Sequence, residues 1–216
     1  MEKLGVIFDL DGTLWDASRE VVPAWNVVFQ RYPKLQKVIT LEEMSGYFGK
    51  TIEEIAALML PMESESSRLK IVKECCREEQ IYLKEHGGRL YPELENTLKK
   101  LREKYHLYIV SNCQDGYVQA FPHYHKLEKY FDDIEMSGRT GLNKGKNIAL
   151  ILERNQIDQA SYVGDTMGDC EGARVAGIPY VYARYGFGKV SEFQYVIDEI
   201  VALPEVAERI FCNLQL

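Results

Sequence analysis

No stretch of this chain carries the roughly 18 consecutive apolar residues that a membrane-crossing helix needs, so a membrane partner is not expected. The five cysteines (Cys75, Cys76, Cys113, Cys170, Cys212) are odd in number and include no Cys-x-x-Cys pair, which leaves neither a disulfide framework nor a thiolate metal cluster. Positive charge is also short. Lys and Arg number 26 against 33 Asp and Glu, a net of -7, and a nucleic-acid partner would demand clustered cations. The first residues show no basic segment leading into an apolar run, so a reducing cytoplasm is the expected setting. What is present is an ordinary globular composition over 216 residues, long enough for one buried domain or for a core with a smaller inserted module.

Residues 4–16, LGVIFDLDGTLWD, set the organisation of the rest. Val6, Ile7 and Phe8 form a short apolar run bounded by turn residues, as a buried central strand of a parallel sheet requires. Asp9 falls at the end of that strand, and Asp11 follows with i,i+2 spacing, so both carboxylates can face one cavity while Gly12 allows the turn. Two close carboxylates repel each other unless a cation or a shared proton intervenes. Oxygen ligands with no soft donor nearby favour Mg2+.

Downstream, the pattern is helical for about 70 residues. Ser18 is read as the cap of a first helix, Thr40 with Glu43 and Thr51 with Glu54 as capping boxes, and a longer helix is expected to carry Leu69, Val72, Cys76, Ile81 and Leu83 on its apolar side. From residue 88 onward, helices alternate with short apolar strands, as in a parallel sheet covered on both faces. The expected architecture is α/β: a Rossmann-like parallel sheet core, residues 1–15 and 88–216, with a small helical-bundle cap, residues 16–87, inserted after the first strand.

Three further strand ends carry polar residues. Ser111 and Asn112 follow an apolar strand and can grip a phosphoryl oxygen without adding negative charge. Lys144 lies in GRTGLNKGKN with Arg139 and Lys146, and spacing does not settle which of the three points inward. In GDTMGD, Asp165 follows a strand directly and Asp169 stands at a helix start, where its charge also suits the helix dipole. Converging on one crevice, these groups offer a Mg2+ site with a spare acid and an anion cradle beside it, a constellation for phosphoryl transfer.

With these motifs in this order, the sequence resembles the haloacid dehalogenase-like hydrolase superfamily, in particular its capped phosphoglycolate phosphatase and beta-phosphoglucomutase-like group. Asp9, Asp11, Gly12 and Thr13 match its first motif, Ser111 with Asn112 its second, Lys144 its third, and Asp165 with Asp169 its fourth. The resemblance implies that Asp9 is the nucleophile and Asp11 the acid and base. It gives Thr13, Ser111 and Asn112 to the phosphoryl group and makes Lys144 the partner of the nucleophile. Mg2+ would be held by Asp9, the Asp11 backbone carbonyl, Asp165 and Asp169. Many family members have Lys-Pro where this chain has Lys144-Gly145, which keeps Lys146 in reserve.

The expected activity is hydrolysis of a small phosphorylated metabolite through an aspartyl phosphate. A sugar phosphomutase is the alternative, disfavoured by Thr13 where mutases of the group often have valine, and a non-catalytic binding protein is a weaker one. Within the cap, Lys50 on the Gly46 to Thr51 loop is the candidate substrate contact. Trp25 and Tyr47 are read as cap core, with the pocket wall as their other possible place. Oligomeric state is not legible.

Overall fold

The chain opens with β1 (Leu4–Phe8), passes a two-residue strand β2 (Trp15–Asp16), and enters four helices: α1 (Ser18–Gln30), α2 (Leu41–Ser45), α3 (Ile52–Met59) and α4 (Glu65–His86). It returns through β3 (Arg89–Leu90) and then alternates α5 (Leu94–Arg102), β4 (His106–Ser111), α6 (Tyr117–His125), β5 (Asp133–Met136), α7 (Ser137–Thr140), α8 (Lys144–Arg154), β6 (Gln159–Gly164), α9 (Met167–Ala176), β7 (Tyr180–Ala183), β8 (Tyr195–Ile197) and α10 (Leu203–Leu214). This is a computed structural model, and it describes residues 2–214.

The six long-range strands form one sheet in the order β5-β4-β1-β6-β7-β8, parallel at every pairing. Val6, Ile7 and Phe8 are wholly buried in the middle of it, and each such side chain contributes roughly 1.5–3 kcal/mol. Alternation divides them between the two faces. Val6 and Phe8 join Leu98, Leu101, Phe121 and Ile210 on one side, while Ile7 meets Tyr108, Tyr162, Ile148 and Ala173 on the other. Helices therefore cover both faces, which is why the strands read as continuous apolar runs.

Register explains how distant residues come together. Phe8 pairs with Ile109 on one side and Val163 on the other, so the carboxyl ends of β1, β4 and β6 lie abreast. The Asp9 N–H extends the ladder by donating to Val163 O at 2.8 Å. Ligand sites in such sheets form beyond these ends.

The inserted helices pack on one another through Val21, Trp25 and Val28 of α1, Ala56 and Met59 of α3, and Val72 and Cys76 of α4. Their two connections to the sheet pair with each other: β2 and β3 run antiparallel, Trp15 opposite Leu90 and Asp16 opposite Arg89, with an Arg89–Asp16 ion pair of 2.7 Å.

Local expectations are met unevenly. The Thr51–Glu54 box is complete, whereas Thr40 accepts from the Glu43 N–H but the Glu43 carboxylate turns to Lys37 and Tyr47. Ser18 is the first helical residue and not the cap. The Asp16 carboxylate accepts from both its N–H (3.0 Å) and its hydroxyl (2.5 Å), taking over that duty from outside the helix. Ile81, assigned to the apolar side of α4, is 60% exposed. The tail supplies a sixth strand, β8, which pairs with β7 and was not foreseen.

Candidate active site

Asp9 is 1% exposed, and its Oδ1 accepts from Lys144 Nζ at 2.8 Å. The same ammonium reaches Asp169 Oδ1, so Lys144, the first residue of α8 and itself buried, bridges an acid just beyond β1 and one in the first turn of α9. Burial alone lowers the pKa of Lys144, but attraction to Asp169 and Asp9 prevails and raises it above its ordinary value. Burial pushes the Asp9 carboxyl well above the usual carboxylate range, with Lys144 opposing and Asp169 and Asp165 reinforcing.

Asp169 is held from all sides. Its Oδ2 accepts from the Thr166 N–H (2.8 Å), the Thr166 hydroxyl (2.6 Å) and the Asp165 N–H (3.1 Å), a capping box that fixes the start of α9. Asp165 is half-held. Its Oδ2 accepts from the N–H groups of Phe187 (2.7 Å) and Gly188 (3.1 Å), while its buried Oδ1 has no partner. Burial, and next the Asp169 charge, push its pKa up to about 7.

Asp9, Asp165 and Asp169 each offer an oxygen within 4.8 Å of the others. Three carboxyl groups against one ammonium leave an excess of acids in a buried site, and the partnerless oxygen of Asp165 belongs to the same cluster. Hard oxygen donors and that excess suit a divalent cation. The Asp11 carboxylate stands apart from this cluster. Its Oδ1 accepts from Trp15 Nε1 (2.9 Å) and the Tyr117 hydroxyl (2.7 Å), and its Oδ2 from Cys113 Sγ (3.3 Å). Burial outweighs these three bonds and raises its pKa to about 6.

The Gly12 φ of +81° suits glycine, and a Cβ there would collide with the Asp165 carboxylate. Thr13 is fully buried and its hydroxyl has no partner, which leaves it available to an incoming anion. Ser111 is 2% exposed and accepts from the Cys113 N–H at 3.3 Å.

Asn112 makes contacts of its own across the crevice. Its amide donates to Gly49 O of the insert (2.9 Å) and its carbonyl accepts from the Ser137 hydroxyl (3.0 Å), so it ties the sheet to the 46–51 loop. Among the three basic candidates, Lys146 is exposed and Arg139 pairs with Asp115 and Glu135, which leaves Lys144 in the site. Gly145 lets α8 approach α9 closely: a Cβ there would lie 2.7 Å from that of Val175.

A cavity of about 40 Å³ opens beside Asp11, between the sheet and the insert. Lys50 lines it, as do Trp25 and Tyr47, which also belong to the core of the insert. Sequence reasoning missed Trp15 and Tyr117 as partners of Asp11, and missed the backbone at Phe187 and Gly188. The glycines in YGFGK were the available signal for the latter, since a Cβ on Gly188 would strike Asp165 O and Thr166.

The clustered acids lie beyond the carboxyl ends of the central strands of a doubly wound parallel sheet, the place where such folds bind ligands. The haloacid dehalogenase-like hydrolase family matches residues 6–183, and the chain belongs to that family. It is 28% identical over 202 residues to a phosphoglycolate phosphatase of Aliivibrio fischeri, covering 84% of each chain. To a phosphoglycolate phosphatase of Aquifex aeolicus it is 27% identical over 197 residues, covering 86% of this chain and 87% of the relative. A haloacid dehalogenase-like hydrolase of Streptococcus pneumoniae shares the fold with a TM-score of 0.81 and 23% identity, over 94% of this chain and 98% of that one.

Proposed function

We propose that this chain is a Mg2+-dependent phosphatase that hydrolyses a small phosphomonoester through an aspartyl phosphate on Asp9. The observation that carries the reading is the division between its two leading acids. Asp9 lies against Lys144 among the clustered carboxylates, whereas Asp11 faces a separate cavity with a pKa near 6, ready to give up a proton and take one back. The names of the relatives support phosphate esters as the substrate class.

In this reading residues 1–15 and 88–216 are the catalytic core and residues 16–87 the cap. Asp9, Asp165, Asp169 and the Asp11 backbone carbonyl would hold Mg2+, which supplies charge neutralisation at the phosphoryl oxygens and keeps Asp9 ionised. An Asp9 oxygen attacks phosphorus, the ester P–O bond breaks, and the leaving alcohol takes the proton of Asp11. Asp11, now a carboxylate, removes a proton from water as that water attacks the acyl phosphate. Inorganic phosphate departs and both acids return to their starting forms. Lys144 offsets charge at Asp9 throughout, while Thr13 and Ser111 hold the transferring group in line. Lys50 brings a cation from the cap toward the incoming ester.

No helix among the described residues is long and apolar enough to cross a membrane, and the five cysteines are free, which supports a reducing compartment such as the cytoplasm. The test is phosphate release from a panel of phosphorylated metabolites with and without Mg2+. Metal-dependent turnover of at least one monoester is expected. Absence of turnover across the panel, or turnover unaffected by chelation, overturns the proposal.

A further inference from the structure

The cavity beside Asp11 receives the part of the substrate that leaves, and its chemistry differs from that of an anion pocket. Trp25, Tyr47, Phe48 and Tyr117 supply aromatic surface, and Glu79 of α4 lies in the wall. Glu79 is 4% exposed, and its two carboxylate oxygens accept from Trp25 Nε1 and Gln114 Nε2. Both donors are neutral, and the strongest charged influence on Glu79 is Asp11, of like sign. A carboxyl group buried among aromatic rings without a counterion resists ionising in the empty pocket, and a cationic ligand supplies the charge that lets it ionise.

Three charged side chains line this cavity: Asp11, Glu79 and Lys50. They do not weigh equally. Lys50 is partly exposed, so water screens its ammonium, while the two acids are at most 4% exposed and act through a low dielectric. The field that a leaving group meets inside is therefore that of the acids.

We propose that the cavity selects a leaving alcohol bearing a positive charge, so that the substrate is the phosphate ester of a short amino alcohol, with Glu79 as the residue that determines this specificity. The inference rests on the phosphatase reading and narrows it. A substrate whose leaving group carries a carboxylate, as in the ester named for the relatives, would set its negative charge against two buried acids with no buried cation in the cavity wall to offset it. Burial raises the Glu79 pKa to about 8 in the ligand-free protein, and an ammonium beside it reverses that penalty. The small volume limits the alcohol to a few heavy atoms in this closed arrangement.

The decisive experiment compares three two-carbon esters of similar size with the full chain and Mg2+: phosphoethanolamine (ammonium), 2-hydroxyethyl phosphate (neutral) and 2-phosphoglycolate (carboxylate). Expected is a kcat/KM for the ammonium ester at least about tenfold above the other two, the worth of one charge-assisted contact. Glu79→Gln should collapse the ammonium-to-neutral ratio by a similar factor, mainly through KM. An equal or greater kcat/KM for the neutral or carboxylate ester in the wild type overturns the inference, as does a ratio that Glu79→Gln leaves untouched. Should Glu79→Gln fail to fold, the wild-type ranking decides by itself. If none of the three esters nor p-nitrophenyl phosphate is hydrolysed, the phosphatase reading fails, and tryptophan fluorescence still tests the pocket: tighter binding of phosphoethanolamine than of 2-phosphoglycolate upholds it, and the reverse order or equality overturns it.

Discussion

Phe48 of the insert stacks on Phe187 of the loop that holds Asp165, ring centroids 4.9 Å apart and planes 17° from parallel. The Phe187 N–H is one of the two donors to Asp165 Oδ2, so a contact made by the insert reaches a candidate metal ligand through one residue. Offset aromatic pairs contribute about 0.5–1.5 kcal/mol beyond their buried area. Phe48→Ala should therefore lower kcat/KM by up to about tenfold. It should also make the 46–51 loop more susceptible to limited proteolysis, with secondary structure unchanged by circular dichroism. A loop equally resistant in both proteins would mean that Phe48 does not hold the 46–51 loop against the core.

Asp11→Asn should slow alkyl phosphate hydrolysis by about 10²–10⁴ because the proton donor is lost. An activated aryl phosphate, whose leaving group needs no proton, should suffer less in the first step and more in the second. Acyl phosphate on Asp9 should then accumulate, visible by mass spectrometry as a single added phosphoryl group. In the wild type, kcat/KM should fall as pH rises above about 6, where the acid ionises. A profile flat through that region would assign the proton to another group.

Lys144→Met leaves Asp9 and Asp169 buried without their shared cation. Breaking a buried pair in this way costs about 3–5 kcal/mol, to be read by urea denaturation in chelator. Mg2+ should recover part of the loss in the variant, because a divalent ion can replace some of the missing positive charge. Stability of the variant equal to wild type in chelator would mean that Lys144 does not neutralise the cluster.

The raised pKa of Asp165 fixes the sign of a stability change. Its folded value of about 7 exceeds the ordinary 3.8, so the folded state holds the proton more tightly than the unfolded chain. The associated stability is complete below about pH 4 and is lost as pH rises through about 7. In chelator, Asp165→Asn should lack this component, so the difference in Tm between variant and wild type should widen in favour of the variant from pH 4 to pH 7.5. Mg2+ should narrow it by stabilising the wild type. A constant difference across that range contradicts the shift.

How much of this was legible depended on where each residue sits. Asp9, Ser111 and Asp165 lie at or just beyond strand ends, and in a parallel sheet chain position nearly dictates spatial position, so their convergence could be read from apolar runs followed by polar residues. Spacing alone did not separate Lys144 from Lys146, and the resemblance favoured Lys144; α8 begins at residue 144, which turns that side chain inward and the next-but-one outward. Tyr117 and Glu79 left no comparable mark. Each reaches the site by helix packing across long chain separations, and a tyrosine or glutamate on an amphipathic helix looks the same whether or not it faces a cavity. Phe187 and Gly188 act through backbone N–H groups, which every residue but proline possesses. The strand at Tyr195–Ile197 is three residues long at a sheet edge, too short for periodicity to register.

The pairing of Trp15 with Leu90 and Asp16 with Arg89 means that the insert leaves and re-enters the sheet at one place. Antiparallel partners stand about 5 Å apart, so both covalent connections of the insert to the core lie side by side. A two-residue turn could join Asp16 to Arg89 as an ordinary hairpin and close the chain without displacing a strand. The chain thus crosses between sheet and insert at one place, while the insert is held against the core elsewhere, by α4 packed along α6, by Asn112 on Gly49 O and by Phe48 on Phe187.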